Sequence, residues 1–551
     1  MLKVLGVSAP HYERKPSKSK STSLNSRDPF SLYNAFRVCA EHAQGHDEYW
    51  NKSNWNTQEG RDDSIILMEY FFNDKHIFID MLDKVKPNLL LIGAMTLSFI
   101  GAIEIAKIAK EKYGNDIFIV LGGKHSTETI FCKDTSIEQL KNSPIKLMQS
   151  SQIPRVFDMV ISGDGEEIIW QIGRAVGYTM SEGLALDNVY KYEGLKDAKG
   201  NWVLSWLDNR DEIQALKSTC GDIDYDLLIP TINLFKTTSQ FTVFDADLTA
   251  HTMSYISPGC VFNCDYCSEC STINGRMRQK ETAHNRLYRS FQDIIDVGER
   301  KYSSKKMSAF VEDSILLGGF SDLIIRFTEL LSSNPIDITW GCQFTIDKLL
   351  EKEIQNSVRK LSSLGLSYIF VGLETSDESI ASNLSKSTQK NGNNWMHRNE
   401  EVIQFLNSLG IGYGVSILLG LGESQESRIQ LMKTVGMWKE KYSIPNVVSM
   451  NLAVQHPLRK FDFYDYIEWG TPADSEYLKL FTVIFGEASE KYHLPHVLLP
   501  SIDELNELRV LYESLNETTP CSRDRDVSAQ RNAPEGRGIE PIESKTLVLH
   551  Q

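Results

Sequence analysis

Short apolar runs closed by glycine alternate along this chain with segments of helical period, and that alternation leaves few architectures open. Leu2–Val7 runs into Ser8-Ala9-Pro10, Leu89–Ile92 into Gly93, Ile117–Leu121 into Gly122-Gly123, and Met159-Val160-Ile161 into a turn at Gly163-Asp164-Gly165-Glu166-Glu167. Between the second and third runs, Ile100, Ile103, Ile105, Ala106, Ile108 and Ala109 recur with helical period up to Gly114. Strands this uniformly apolar are buried on both faces, and helices between them demand parallel pairing. Residues 1–180 therefore read as an α/β, doubly wound, Rossmann-like sheet, with a polar and aromatic insertion after the first strand. Ligands in such sheets bind beyond the carboxyl ends of the strands, where these glycines fall.

Residues 181–248 read as a connector of mixed composition, with a strand-like run at Trp202–Trp206 and no assignable function. A second alternating region spans 249–460. Its strand signals are Thr252–Ser257, Met307–Val311, Ile336–Trp340, Ser367–Leu373, Gly412–Leu419 and Val447–Val454, with helical segments between them. Six such units predict a partial (β/α)6 TIM-like barrel. A helical C-terminal extension follows over 461–517, and the charged, Gly- and Pro-containing stretch 518–551 is expected to be disordered. The 551 residues are enough for two or three packed units.

A hydrophobic content of 41% with 24% charged residues is that of a globular protein, and the formal net charge of −15 gives no global attraction to polyanions. Nucleic acid is not expected as a partner, and the basic stretch Arg14–Lys20 reads as a solvated loop. No apolar run approaches the roughly 20 residues of a membrane span, and Met1–Val7 is too short for a signal core. The expected location is cytoplasmic, without a membrane partner. Of nine cysteines, four crowd between Cys260 and Cys270. That clustering suits metal ligation in a reducing compartment better than a disulfide framework.

The crowded stretch reads Ser257-Pro258-Gly259-Cys260-Val261-Phe262-Asn263-Cys264-Asp265-Tyr266-Cys267, a C-x3-C-x2-C loop directly after a strand signal. Thiolates are soft ligands suited to iron–sulfur clusters, and three on one short loop can hold three corners of a 4Fe–4S cube while leaving the fourth iron open. Cys270 could instead complete a four-thiolate zinc site, but zinc ribbons separate two C-x2-C pairs by a dozen or more residues. The loop, with Tyr266 just before the third cysteine, resembles the signature of the radical S-adenosylmethionine superfamily; Cys270 is no part of it. The resemblance runs on through residues 250–460. Phe310-Val311-Glu312-Asp313, Val371-Gly372-Leu373-Glu374-Thr375-Ser376 and Ser416-Ile417-Leu418-Leu419-Gly420-Leu421-Gly422-Glu423 are similar to the family's elements at the ends of strands two, four and five, with Ser416 where the family carries a glycine. The resemblance implies metal ligation by Cys260, Cys264 and Cys267. It also implies S-adenosylmethionine contacts from Tyr266, Glu312, Glu374, Gly420 and Glu423.

The glycine turns after the N-terminal strands resemble the cobalamin-binding domain fused ahead of many radical S-adenosylmethionine barrels. On that resemblance, Thr96, Gly122, Gly123, His125, Gly163 and Gly165 would contact cobalamin. An Asp-x-His-x-x-Gly motif is absent, and His11 in Ala9-Pro10-His11-Tyr12 is read as a surface histidine rather than a cobalt ligand. The expected function is cobalamin-dependent methyl transfer to an unactivated carbon of a small molecule or peptide, fed by a reductase or flavodoxin-type electron donor. Two alternatives stand beside it: a non-methylating radical enzyme whose first domain is empty or structural, and a non-catalytic iron–sulfur or zinc scaffold. With only Cys39 and Cys132 ahead of the connector, a second cluster of the methylthiotransferase kind lacks ligands.

Overall fold

The computed structural model describes residues 1–10, 12, 47–57, 60–61, 63–68, 70–95, 98–133, 136–226, 233–234, 244, 246–256, 260, 262, 264, 266–267, 279–301, 305–384, 394–442, 446–453, 494, 497 and 499–517. Sixteen strands lie among them. In chain order they are β1 (Val4–Ser8), β2 (Ile65–Leu67), β3 (Leu89–Gly93), β4 (Phe118–Gly122), β5 (Ile130–Lys133), β6 (Ser136–Gln139), β7 (Met159–Gly163), β8 (Trp202–Leu207) and β9 (Ile213–Lys217). The second half contributes β10 (Asn233–Leu234), β11 (Leu248–Thr252), β12 (Met307–Val311), β13 (Thr339–Phe344), β14 (Leu366–Glu374), β15 (Gly412–Leu419) and β16 (Asn446–Leu452).

The first sheet has the order β2-β1-β3-β4-β7-β8-β9. Its first five strands are parallel and β8 and β9 close the edge antiparallel. Strand order reverses at β1, so the crevice between the ends of β1 and β3 is the topological switch point. One face packs on Phe78, Phe99 and Ala106, and the other on Trp50, Ile168 and Ile172, as a doubly wound sheet requires. The segment read as a connector is in part this sheet's own edge. Trp202 and Leu204 bury on one face and Val203 and Leu207 on the other, so β8 is as enclosed as its parallel neighbours.

The second sheet has the order β10-β11-β12-β13-β14-β15-β16, with the six strands from β11 onward all parallel in an open half-barrel. Alternate residues of each strand face opposite ways. Ala309, Val311, Trp340, Cys342, Ile369, Val371, Tyr413 and Val415 join the outer core, packed on helices Ala283–Lys301, Ser321–Ser333, Lys352–Ser362 and Trp395–Ser408. Helix Ile502–Glu517 covers the far edge through Leu505 and Leu508. The inner face carries a separate aromatic cluster of Phe244, Phe310, Tyr368 and Phe370. Phe244 meets Tyr368 edge-on with ring centroids 6.3 Å apart. Glycine on the flanking strands makes the room: a Cβ on Gly414 would lie 2.0 Å from Tyr368 Oη, and one on Gly341 would lie 3.0 Å from Phe244. No helix among the described residues is long and apolar enough to cross a membrane.

Gly414→Ala should therefore overpack the barrel floor and cost about 1–3 kcal/mol in urea denaturation. Because the close contact is to the hydroxyl oxygen, Tyr368→Phe in the same chain should recover part of that loss. Strict additivity of the two substitutions would contradict this packing.

Candidate active site

The segment entering the cysteine loop is held from two sides. Ser254 gives its amide hydrogen to Asp313 at 2.8 Å, and its carbonyl accepts from Arg286 Nε at 3.0 Å. Asp313 also accepts from the Leu317 amide at 3.0 Å. Its carboxyl is pushed above the usual range by burial, against those hydrogen bonds. Arg286 is buried and pairs with Asp226 at 2.8 Å, while Tyr225 stacks on Tyr255 at 5.7 Å. These contacts tie the end of the connector to the exit of β11 and aim the following loop over the strand ends.

In that loop Cys264 is buried and Cys260 and Cys267 are half-buried. The Cys267 amide donates to the Cys264 carbonyl at 3.1 Å, and the Phe262 amide points at Cys260 Sγ from 3.5 Å. An amide aimed at sulfur lowers the charge a thiolate must carry, a common feature around iron–sulfur ligands. Tyr266 is enclosed beside them. Burial, then the Glu374 carboxylate, then Cys264 and Cys267, push its phenol well above the ordinary value. Its hydroxyl lies against Cys264. Three thiols on one loop with an adjoining enclosed polar atom fit a cofactor of three thiolate ligands. Among the described residues no three His, Cys, Asp or Glu side chains converge on one ion. A cubane spreads its thiolates over separate irons. Cys270 lies outside the described residues.

The inner rim of the half-barrel faces this loop. Glu312 follows Phe310 on the inner face of β12, and His251 on β11 places Nδ1 2.5 Å from its carboxylate. On β14 the pairing with β15 slips between Gly372 and Glu374, and Glu374 takes a left-handed φ of 63°. That bulge turns its buried carboxylate toward Tyr266. Ser416 on β15 and Asn451 on β16 continue the same rim. The structure thus brings Glu312, Glu374 and Tyr266 to one end of the barrel with the cysteines, and adds His251, Gln343 and Asn451, which sequence reasoning did not select.

Glu423 is engaged within its own turn. Its carboxylate accepts from the Gly420 amide at 2.8 Å and the Leu421 amide at 2.7 Å, and pairs with buried Arg428 at 2.6 Å. It builds the turn after β15, in which Gly420 has a φ of 81°, and so acts on the site through backbone shape.

The N-terminal candidates divide. A Cβ on Gly123 would sit 2.6 Å from Ala94 N and O, so this glycine lets the β3 and β4 turns touch, while Gly122 has open space except for Ile161 O at 4.0 Å. Gly163 abuts Asn201, with a Cβ there 2.1 Å from the Asn201 carbonyl oxygen. Asp164 and Glu167 accept from the amides of Asn201 and Lys199 at 2.8 Å each, and Gly165 caps the helix Glu166–Ser181. The turn at Gly163 and Gly165 is thus closed by the 199–201 segment. His125 also departs from expectation. It is fully buried and stacked on Phe99 at 4.3 Å, because the short helix Lys124–Thr129 starts at once after Gly123 and swings the ring into the core. Thr96 and His11 lie outside the described residues.

No protein-family model matches the chain, and no curated protein matches it. Among solved structures it is similar to the cobalamin-dependent S-adenosylmethionine radical enzyme OxsB, at 13% identity and a TM-score of 0.47, over 80% of this chain and 55% of that one. The chain thus spans about half the length of OxsB. It is similar to the radical S-adenosylmethionine methyltransferase TsrM from Kitasatospora setae, at 13% identity and a TM-score of 0.47, over 91% of this chain and 83% of that one. Coproporphyrinogen III oxidase from Escherichia coli, a radical SAM enzyme, matches at 12% identity and a TM-score of 0.31, over 47% of this chain and 51% of that one.

Burial lowers the His125 pKa to about 4, against the opposing pull of Glu128. The unfolded chain takes up this proton near pH 6.5 and the folded one only near 4, so folding stability falls as pH drops through that window. The full loss is on the order of 3 kcal/mol. His125→Leu should flatten this part of the stability profile, measured by urea denaturation from pH 7 to 4. Parallel profiles for the two proteins would contradict the burial.

Proposed function

We propose that the chain is a radical S-adenosylmethionine enzyme that methylates an unactivated carbon of a small molecule or peptide with the help of cobalamin. The observation that carries this reading is the cysteine loop seated over the same barrel rim that holds Glu312 and Glu374. Cys260, Cys264 and Cys267 would hold a 4Fe–4S cluster by three corners. When bound, such a cluster supplies one electron that splits S-adenosylmethionine into methionine and a 5′-deoxyadenosyl radical able to take a substrate hydrogen atom, and cobalamin supplies a methyl group.

The chain's own residues serve binding and exclusion of water. Glu312, steadied by His251, offers an acceptor for the methionyl ammonium, and Glu374 offers one for the ribose hydroxyls. Tyr266 walls the cluster loop from that carboxylate, and the aromatic floor of Phe310, Tyr368 and Phe370 closes the barrel below. The switch point between β1 and β3, next to the open space at Gly122, is where the first sheet would take cobalamin. The sealed Gly163 turn and the buried His125 favour a second reading, in which the first domain is structural and the radical step is a rearrangement or oxidation.

Anaerobic reconstitution with iron, sulfide and hydroxocobalamin separates the readings. The wild type should show iron–sulfur absorption, form 5′-deoxyadenosine from S-adenosylmethionine under a flavodoxin-type reductant, and retain about one cobalamin, the ligand of one switch point. Alanine at Cys260, Cys264 or Cys267 should abolish 5′-deoxyadenosine, while Cys270→Ala should leave it. Iron–sulfur absorption surviving in the triple variant would place the cluster elsewhere. Failure to retain cobalamin would remove methyl transfer and leave the radical chemistry standing.

A further inference from the structure

Gln343 is a rim residue that the proposed cofactor chemistry does not use. It lies on the inner face of β13, two residues beyond Gly341, and pairs in register with Phe370 of β14. On the neighbouring β12, Phe310 pairs with Gly341, and Glu312 follows just past the end of that strand. Gln343 is 3% exposed, and its Nε2 has no hydrogen-bond partner among the described residues. A buried amide left without an acceptor destabilises a fold, and Met or Leu would fill the same volume without that penalty. Such a group is retained at a cost to stability where a ligand completes it.

We propose that Gln343 is a substrate-positioning residue, and that it donates to the carbonyl oxygen of a neutral amide in the substrate. The donor calls for an acceptor oxygen. Glu312, just past β12, and Glu374, four residues beyond Phe370 on β14, place two carboxylates on the same end of the barrel, which disfavours a free carboxylate and favours an uncharged carbonyl. The aromatic cluster, with Phe370 opposite Gln343 and Phe310 opposite Gly341 two residues before it, suits an apolar or aromatic side chain next to that amide. A peptide, or an amino acid in amide linkage, has both features. This inference rests on the radical-enzyme reading for the chemistry performed at the rim, and narrows its substrate to the peptide-like class.

The test uses the reconstituted full-length protein with S-adenosylhomocysteine present. The probes are N-acetyl-L-amino acid amides with apolar and aromatic side chains, set against the matching free L-amino acids. The wild type should bind at least one amide probe, read by equilibrium dialysis, and bind its free amino acid more weakly. Gln343→Met and Gln343→Leu should weaken that binding about tenfold, the worth of one buried hydrogen bond. Both variants should keep their affinity for S-adenosylhomocysteine and unfold at a higher temperature than the wild type, since each removes an unmet donor. A merely structural glutamine would lower the unfolding temperature when replaced. The proposal is overturned if no amide probe binds, if free amino acids bind better, or if the variants bind as the wild type does. Formation of 5′-deoxyadenosine by the wild type without any probe reports separately on the radical-enzyme reading, so the two can fail independently.

Discussion

Everything at the candidate site hangs on how Ser254 is held. Asp313, at the end of β12, takes its amide hydrogen, and Arg286, from the helix behind, takes its carbonyl. Arg286 is buried and Asp313 half-buried, and Arg286 is itself neutralised by Asp226 at 2.8 Å. Removing one member of such a set leaves an uncompensated buried charge or donor, which costs about 3–5 kcal/mol. The exit of β11 therefore has little freedom, and the cysteine loop that follows inherits its direction. A loop carrying three thiols needs this anchoring, since iron–sulfur ligation fixes where the sulfurs must be but does not itself connect them to the barrel.

The half-barrel then meets two opposed demands. Its outer face is largely apolar and packs conventionally on helices. Its inner face is divided by height. Aromatic rings fill the lower part, accommodated by Gly341 and Gly414, and the rim above them carries His251, Glu312, Gln343, Glu374, Ser416 and Asn451. Enclosing that many polar groups costs stability, and the large outer core offsets it. The positive φ of Glu374 belongs to the same pattern, because a left-handed glutamate at a bulge is strained and points its carboxylate where a straight strand would not.

What could be read from the sequence follows from how each strand is buried. Met307–Val311 and Gly412–Leu419 coincide with β12 and β15, because each is apolar or small throughout and ends at a loop signal. The first and third barrel strands were displaced. Thr249 and His251 interrupt the apolar run of β11, so the sequence signal pointed past its end to Thr252–Ser257. Gly341 and Gln343 interrupt β13, so the signal stops at Trp340, four residues short of its end. Both interruptions are inner-face positions, and this is why His251 and Gln343 were missed: residues that face a site break the pattern that locates strands. A glutamine directly after Trp340-Gly341-Cys342 was the available clue. The cysteine loop, Glu312 and Glu374 were legible because motif spacing does not depend on burial. The role of Glu423 and the enclosure of His125 were not, since both depend on partners distant in sequence or on the path of one short helix.

Three thiols would leave one iron of a bound cubane open for S-adenosylmethionine. Electron–nuclear double resonance on the reduced, reconstituted protein tests it most directly, using S-adenosylmethionine labelled with nitrogen-15 at the amino group and oxygen-17 at the carboxylate. Both labels should couple to the cluster, and neither coupling should persist when excess unlabelled S-adenosylmethionine displaces the labelled molecule. A reduced cluster with no coupling to either label under saturating S-adenosylmethionine would mean that S-adenosylmethionine does not ligate the cluster, and would overturn this reading.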